Sequence, residues 1–167
     1  MKERAINLMQ DYFQDQRYVD HALAVTSFAE QIAAGEKVRD PFALQVITLA
    51  AIFHDVGIPA ALEKHGSGAG PLQEAEGEPI AHSLLEQLGV CPDVRERVCY
   101  MVGHHHSPEF IDGLDFQILY EADALVNIPT RYRYGQLQDP DEMEAVVAET
   151  FRTVTGKDLI RQWIESL

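Results

Sequence analysis

The sequence predicts an all-α protein, a single helical bundle, and three observations support this fold class. Apolar residues recur at intervals of three and four along most of the chain. No alternation of apolar and polar residues marks a strand. The 167 residues are 46% apolar and 24% charged, which suits one ordinary domain with its own core. We expect one domain over 1–167, with a core of about 16–128 and C-terminal helices at 141–166.

Periodic apolar positions predict the individual helices in chain order. A short amphipathic helix is expected over 5–13, and a second one from about Tyr18 to Gly35. Pro41 suits the first turn of a third helix, which is apolar nearly all round and is therefore predicted to be the buried central helix. Later helices are expected over 80–88, from 92 to the histidines at 104, and over 116–126, 141–153 and 157–166.

Between the third helix and residue 80 the composition changes. Residues 57–79 hold five of the 11 glycines and three of the eight prolines. This composition predicts a long loop, and loops of that length are usually functional lids or mobile segments. Its place directly after the central helix favours a functional lid. A second polar break is expected at 129–140.

The charge balance excludes some classes of partner. Acidic residues outnumber basic ones by 27 to 13, giving a net charge of −14, which disfavours duplex nucleic acid and anionic membrane surfaces. No uninterrupted apolar run reaches roughly 18 residues, and the N-terminus is too charged for a signal peptide. A cytoplasmic location is expected, with Cys91 and Cys99 as reduced thiols.

The most informative pair is His54-Asp55, at the end of the apolar third helix. An ionised aspartate there costs several kcal/mol unless it is paired or bound to metal. Lysine and arginine are absent from residues 40–63, so no local ion pair is available. The alternative is that both residues cap the helix end in partial solvent.

Two further polar residues share the apolar faces of predicted helices. His21 lies in the stripe of the second helix, and Asp123 lies in that of the helix over 116–126. Each alone could be a hydrogen-bonded core residue. Together with His54 and Asp55, they can close one site of nitrogen and oxygen ligands from three helices.

These residues resemble the H…HD…D pattern of the HD-domain metal-dependent phosphohydrolases. His21, His54-Asp55 and Asp123 fit that pattern, within AAIFHDVGIP and ILYEADALVN, and the tail ETFRTVTGKDLI is similar to that of small stand-alone members. The resemblance covers residues from about 16 to 128. It implies that the four residues bind a divalent cation and that the reaction is hydrolysis of a phosphomonoester or phosphodiester.

Imidazole and carboxylate together accept Mn, Fe, Co, Ni, Zn or Mg. Bound metal lowers the pKa of water towards ~7, and Asp55 could both bind the ion and orient that water. We expect one ion, with two as the alternative.

In two-metal relatives, extra histidines follow the post-doublet loop and precede a helix end. His105 is favoured as such a ligand, with His104 or His106 as its neighbour, although a solvated helix end explains these histidines nearly as well. His82 lies off the apolar stripe, and the aligned position falls near Gly77, which leaves Glu76 as a possible substitute.

Phosphate contacts are harder to assign. Lys64 is the one basic residue of 57–79 and is our candidate for a catalytic contact to the substrate phosphate, followed by Arg131 and Arg133. The chain carries Ile58 and Pro59 where relatives often carry lysine and glutamate, and it lacks the GYP sequence of cyclic-dinucleotide members. The substrate class is therefore left at a small phosphorylated metabolite or nucleotide.

Two other functions remain open from the sequence. Some HD-type proteins use a di-iron centre to activate oxygen, and extra histidines would serve that use. A metal-binding signalling module without turnover is the other alternative, which the intact four-residue pattern disfavours.

Overall fold

The computed structural model describes all residues, 1–167, and is entirely helical. Nine α-helices and one short 3-10 helix are present, with no strand, so the all-α class is confirmed. The α-helices are α1 (Lys2–Tyr12), α2 (Gln16–Gly35), α3 (Pro41–Phe53), α4 (Gly57–His65), α5 (Gly70–Gln87), α6 (Pro92–Val102), α7 (Leu114–Arg133), α8 (Pro140–Thr150) and α9 (Val154–Glu165). The 3-10 helix is Pro108–Phe110.

Helix α3 is the centre of the bundle, as its all-round apolar sequence predicts. It packs against α1, α2, α6 and α7, and every residue of 49–53 is buried. Asp40 begins the helix by accepting hydrogen bonds from the backbone N–H groups of Phe42 and Ala43, and Pro41 fills the first turn. Because α2 and α7 also pack against each other, the end of α3 meets both of them in the interior.

The prediction of a long loop over 57–79 is wrong, because most of this interval is helical. Helix α4 ends at Gly66, whose φ of +67° gives the left-handed cap that glycine favours, and α5 begins with Pro71 in its first turn. Gly57 permits close contact between the two helices: a Cβ there would lie 1.9 Å from the carbonyl oxygen of Gln73 and 2.7 Å from the Gly77 nitrogen. Glycine therefore serves close packing here rather than flexibility.

The expected break at 129–140 is shorter than predicted. Helix α7 continues through Pro129 to Arg133, so the irregular segment is limited to 134–139. Proline lacks the backbone N–H of an internal helix residue, but packing of α7 against its neighbours outweighs this local cost.

Two buried or partly buried carboxylates attach the C-terminal helices to the bundle. Glu121 on α7 is fully buried and accepts hydrogen bonds from the backbone N–H groups of Arg152 (2.6 Å) and Thr153 (2.9 Å) and from the Thr153 hydroxyl. Glu36 accepts a hydrogen bond from the Thr155 N–H at 2.8 Å, and this bond lowers the pKa of its carboxyl. These bonds satisfy N–H groups at the start of α9 that have no partner within the helix.

One segment, Pro41–His65, is long and apolar enough by composition to cross a membrane. Of the 18-residue apolar stretch within it, 61% is buried inside the protein. The central helix of a soluble protein meets the same criterion, so this is weak evidence for a membrane span. A turn at 54–56 divides the segment. Cys91 and Cys99 are both free thiols, and burial raises the pKa of Cys99 to about 11.

The contact between α4 and α5 makes a prediction for stability. Replacing Gly57→Ala should lower the free energy of unfolding by about 2–3 kcal/mol, because the new methyl group collides with backbone that cannot yield easily. Gly68→Ala is the matched control, since its Cβ would meet its nearest neighbour at an ordinary 3.7 Å. Urea denaturation of both variants measures the effect, and equal stability of the two would contradict the tight contact.

Attachment of α9 makes a second prediction. Glu121→Ala should lower the free energy of unfolding by about 3 kcal/mol, because it leaves two buried N–H groups and a hydroxyl without an acceptor. Glu165→Ala, which removes an exposed carboxylate from α9, should change stability little. Thermal unfolding with both variants tests this, and a Glu121→Ala protein as stable as the control would refute the anchoring role.

Candidate metal centre

His21, His54, Asp55 and Asp123 come together at the end of α3. The Nε2 atom of His21 lies 3.2 Å from Nε2 of His54, 3.0 Å from Oδ1 of Asp123 and 3.4 Å from Oδ2 of Asp55. His54 Nε2 lies 3.3 Å from Oδ2 of Asp55 and 3.6 Å from Oδ1 of Asp123. Residues from α2, α7 and the turn after α3 thus surround one small volume.

Backbone hydrogen bonds determine which imidazole nitrogen faces this volume. His54 Nδ1 lies 2.9 Å from the Ala51 carbonyl oxygen, and His105 Nδ1 lies 2.8 Å from that of Val102. A carbonyl oxygen only accepts, so each Nδ1 donates its proton and each Nε2 faces the carboxylates, where a cation in place of a proton would find a lone pair. Nε2 of His105 is buried and has no hydrogen-bond partner. Such an orphaned lone pair among carboxylate oxygens fits a bound cation.

The electrostatics lead to the same conclusion. Asp55 and Asp123 are mostly buried, with side chains 12% and 14% exposed, and neither has a lysine or arginine as ion-pair partner. Burial opposes the charged form of His54, but Asp55 and Asp123 outweigh it and raise the pKa of this imidazole well above its usual value. Burial likewise opposes ionisation of Asp55, yet His54 and His105 hold the pKa of its carboxyl well below the ordinary range. The centre therefore requires positive charge.

Asp55 is shared with a second group of possible ligands. Its Oδ1 atom lies 3.4 Å from Nε2 of His105, and ligand atoms of Asp55, His105 and His106 all lie within 4.8 Å of one another. His104 does not belong to this group. Its Nδ1 donates to the Tyr100 carbonyl oxygen, and its ring packs between Tyr100 and Phe110. The three consecutive histidines turn at the end of α6, so His106, and not His104, accompanies His105.

Helix α5 places other residues near the candidate metal centre than Glu76, the residue that the sequence predicts. Glu76 pairs with Lys64 and His65 on the surface, which removes both Glu76 and Lys64 from the centre. Gln73 and Glu74, one turn earlier, are buried. Lys64 is 59% exposed and lines neither cavity at the centre, so its predicted catalytic contact is not supported.

The two inward residues of α5 have distinct roles. Glu74 accepts hydrogen bonds from the His106 N–H at 2.8 Å and from the Ser107 hydroxyl, and so orients the histidine turn. Gln73 donates from Nε2 to the Gly68 carbonyl oxygen, which leaves its buried Oε1 without a partner. His82 is exposed on the outer side of α5, beside Glu78 and Arg95.

Two cavities adjoin the centre and share His106, Asp123 and Asn127. The first, of about 360 Å³, is lined by His21, Asp55 and Gln73, with Arg17 and Tyr18 from the start of α2. The second, of about 560 Å³, is lined by further residues of α7 and α8, with Tyr120, Thr130 and Arg131 among its polar groups. Arg133 is exposed and lines neither cavity.

Sequence reasoning missed Gln73, Asn127 and Tyr18. Asn127 follows Asp123 by four residues on one helix, so helical spacing could have identified it. Tyr18 precedes His21 by three residues and was assigned only to the apolar stripe. Gln73 could not be placed, because its segment was predicted to be a loop and a loop has no defined face.

The family model of the HD domain matches residues 18–128 of this chain. A crystal structure of a predicted HD superfamily hydrolase from an uncultured Thermotogales bacterium is similar, with a TM-score of 0.68 and 24% sequence identity. The similarity covers 96% of this chain and 83% of that one, and at this identity it shows the fold alone. Among curated proteins, none matches the chain. Because the family match spans more than half of its length, this protein belongs to the HD-domain family.

Proposed function

We propose that this protein is a metal-dependent phosphohydrolase that cleaves a phosphomonoester or phosphodiester bond in a small metabolite or nucleotide. The observation that carries the proposal is the convergence of imidazole lone pairs and two carboxylates in a centre without lysine or arginine. Membership of the HD-domain family supports a general hydrolase role. The specific reaction is our inference from the chemistry of this centre.

The ligands proposed for the first ion are His21, His54, Asp55 and Asp123. A divalent cation held by these residues would neutralise phosphate charge and would make water acidic enough to act as a nucleophile near neutral pH. Asp55 has two carboxylate oxygens in different surroundings, with Oδ2 beside His21 and His54 and Oδ1 beside His105. We assign Oδ1 as the atom that orients the attacking water by accepting a hydrogen bond from it.

The shared wall of the two cavities offers groups that can position a substrate. The residues packed around His106 exclude water and lower the pKa of its imidazole to about 4, so this imidazole is neutral at pH 7. Asn127 adds an amide that can donate to a phosphate oxygen. Arg131 in the larger cavity and Arg17 at the smaller one are the cationic groups available for phosphate, although Arg17 already pairs with Asp15 at 2.6 Å.

The size of the cavities supports a small substrate. Volumes of about 360 and 560 Å³ lie within the range of roughly 300–1,000 Å³ that small-molecule sites occupy. The predicted cytoplasmic location, and the predicted absence of duplex nucleic-acid and membrane partners, remain proposals from composition and charge.

A di-iron oxygenase is the second candidate, favoured by one observation. Asp55, His105 and His106 form a second group of possible ligands that shares its carboxylate with the first. Asp55 would help to hold an ion in each group, and such a pair of ions could supply either oxygen activation or hydrolysis. Product formation under strict exclusion of oxygen separates the two functions, since only hydrolysis continues there.

Metal binding makes the first prediction of this proposal. Protein purified without chelator, or reconstituted with Mn²⁺, Fe²⁺ or Zn²⁺, should retain metal, and His54→Ala should lose it because a ligand held by the Ala51 carbonyl is removed. His105→Ala should reduce the number of ions bound or the affinity, whereas His104→Ala should not. Elemental analysis after desalting measures this. A wild-type protein that retains no metal after reconstitution would refute the proposal.

Turnover makes the second prediction. Hydrolysis of p-nitrophenyl phosphate or of a member of a nucleotide panel should fall by about a hundredfold or more in Asp55→Asn, which loses a charged ligand and the carboxylate that orients the water. Asp11→Asn, an exposed aspartate on α1, is the matched control and should keep its rate. Circular dichroism establishes that both variants fold. Failure of metal-loaded wild type to cleave any phosphoester in the panel would count against hydrolysis even if metal is bound.

A further inference from the structure

A hollow lies between α8 and α9, apart from the metal centre. Its volume is about 670 Å³, larger than either cavity beside the candidate ligands. Leu137 and Phe151 are fully buried at its base, and Met143 is nearly so. The hollow is open to solvent along its outer side, where Glu144, Arg161 and Leu167 are exposed, so a ligand could enter it.

The arrangement of the last three helices explains why the space is open. Helices α8 and α9 each pack against α7, but they make at most marginal contact with each other. The N-terminus of α9 is held by Glu36 and Glu121, and α8 begins with its own cap at Asp139. Because each helix is held separately, their facing apolar side chains, including Val147 and Ile164, line a gap instead of packing together.

Cations surround this gap in a strongly acidic protein. Arg152, Lys157 and Arg161 line it, which is three of the 13 lysines and arginines in a chain of net charge −14. Lys157 has no ion-pair partner, and Arg161 has only Asp158, on its own helix, at 3.9 Å. Glu144 is the one acidic side chain of the lining and lies in no ion pair with these three.

We propose that this hollow binds a small amphipathic anion, with an apolar chain or ring between α8 and α9 and an anionic head group at Lys157 and Arg161. The apolar base provides burial of hydrocarbon, and charge complementarity comes from Lys157, which has no ion-pair partner, and from Arg161, whose contact with Asp158 is exposed and long. The volume lies within the range of roughly 300–1,000 Å³ typical of small-molecule sites.

Charge also favours a small molecule over an acidic protein partner. The solvent side of α8 carries exposed Asp141, Glu142 and Glu149, which would repel an extended acidic surface. A small anion inside the hollow would face Arg152, Lys157 and Arg161, which line it. The outer carboxylates act on it over longer distances, where salt screens them with a Debye length of about 8 Å.

Isothermal titration calorimetry with octanoate, compared with 1-octanol, tests the proposal. Octanoate should bind saturably and about tenfold or more tightly than the alcohol, because only the carboxylate forms charge-assisted hydrogen bonds. Absence of saturable octanoate binding would overturn the proposal. Equal binding of the alcohol would overturn the assigned role of the cations.

Two matched pairs of variants locate the site. Ala148→Glu places a carboxylate on the exposed rim and should weaken octanoate binding by about tenfold or more, whereas Ala145→Glu, on the same helix but outside the lining, should not. Lys157→Met should weaken binding of octanoate but not of 1-octanol, whereas Lys37→Met, at an exposed lysine elsewhere, should affect neither.

Melting temperatures and sedimentation complete the test. All four variants change side chains outside the buried core, and an unchanged melting temperature establishes that each is folded. Equal octanoate affinity within either pair would contradict the assigned position. A dimer of wild type that Ala148→Glu dissociates would show that the hollow receives a second copy of the chain, which would also overturn the proposal.

Discussion

Two carboxylates without a lysine or arginine, at the buried end of an apolar helix, are the constraint on which the rest of the structure depends. Asp55 and Asp123 are reached only by imidazoles, and backbone carbonyls hold His54 and His105 so that their Nε2 atoms face those carboxylates. Such an arrangement is costly in an apolar interior unless positive charge enters it. The packing of α2, α3 and α7 therefore has a chemical purpose as well as a structural one.

Close packing of α4 against α5 supplies the remainder of the centre. Gly57 allows the backbones of the two helices to approach, and this brings Gln73 and Glu74 to the interior instead of Glu76. Glu74 then holds the backbone of His106, so the histidine turn and α5 support one another. Helices α4 and α5, and not a loop, border the smaller cavity, through Ile58 and Gln73.

The distribution of charge separates two regions of this acidic protein. At the candidate metal centre, negative side chains collect, and the proposed anionic substrate would be compatible with them only once a cation is present. At the C-terminal hollow, the cations are side chains of the protein itself, and they remain without strong partners. A net charge of −14 therefore describes neither region, since local arrangement decides which ligands each can accept.

The sequence by itself determined the helical class, the buried position of α3 and the four residues at its end, because apolar periodicity and uncompensated polar residues are local signals. The tertiary structure decided which further residues lie beside these four. Whether Gly57 ends a helix or allows two helices to touch depends on contacts with Gln73 and Gly77, which no local pattern records. The choice of His106 over His104 depends on how the chain turns after α6. The direction of a side chain in a turn depends on the packing of the whole bundle. The same packing decides which faces of distant helices come into contact.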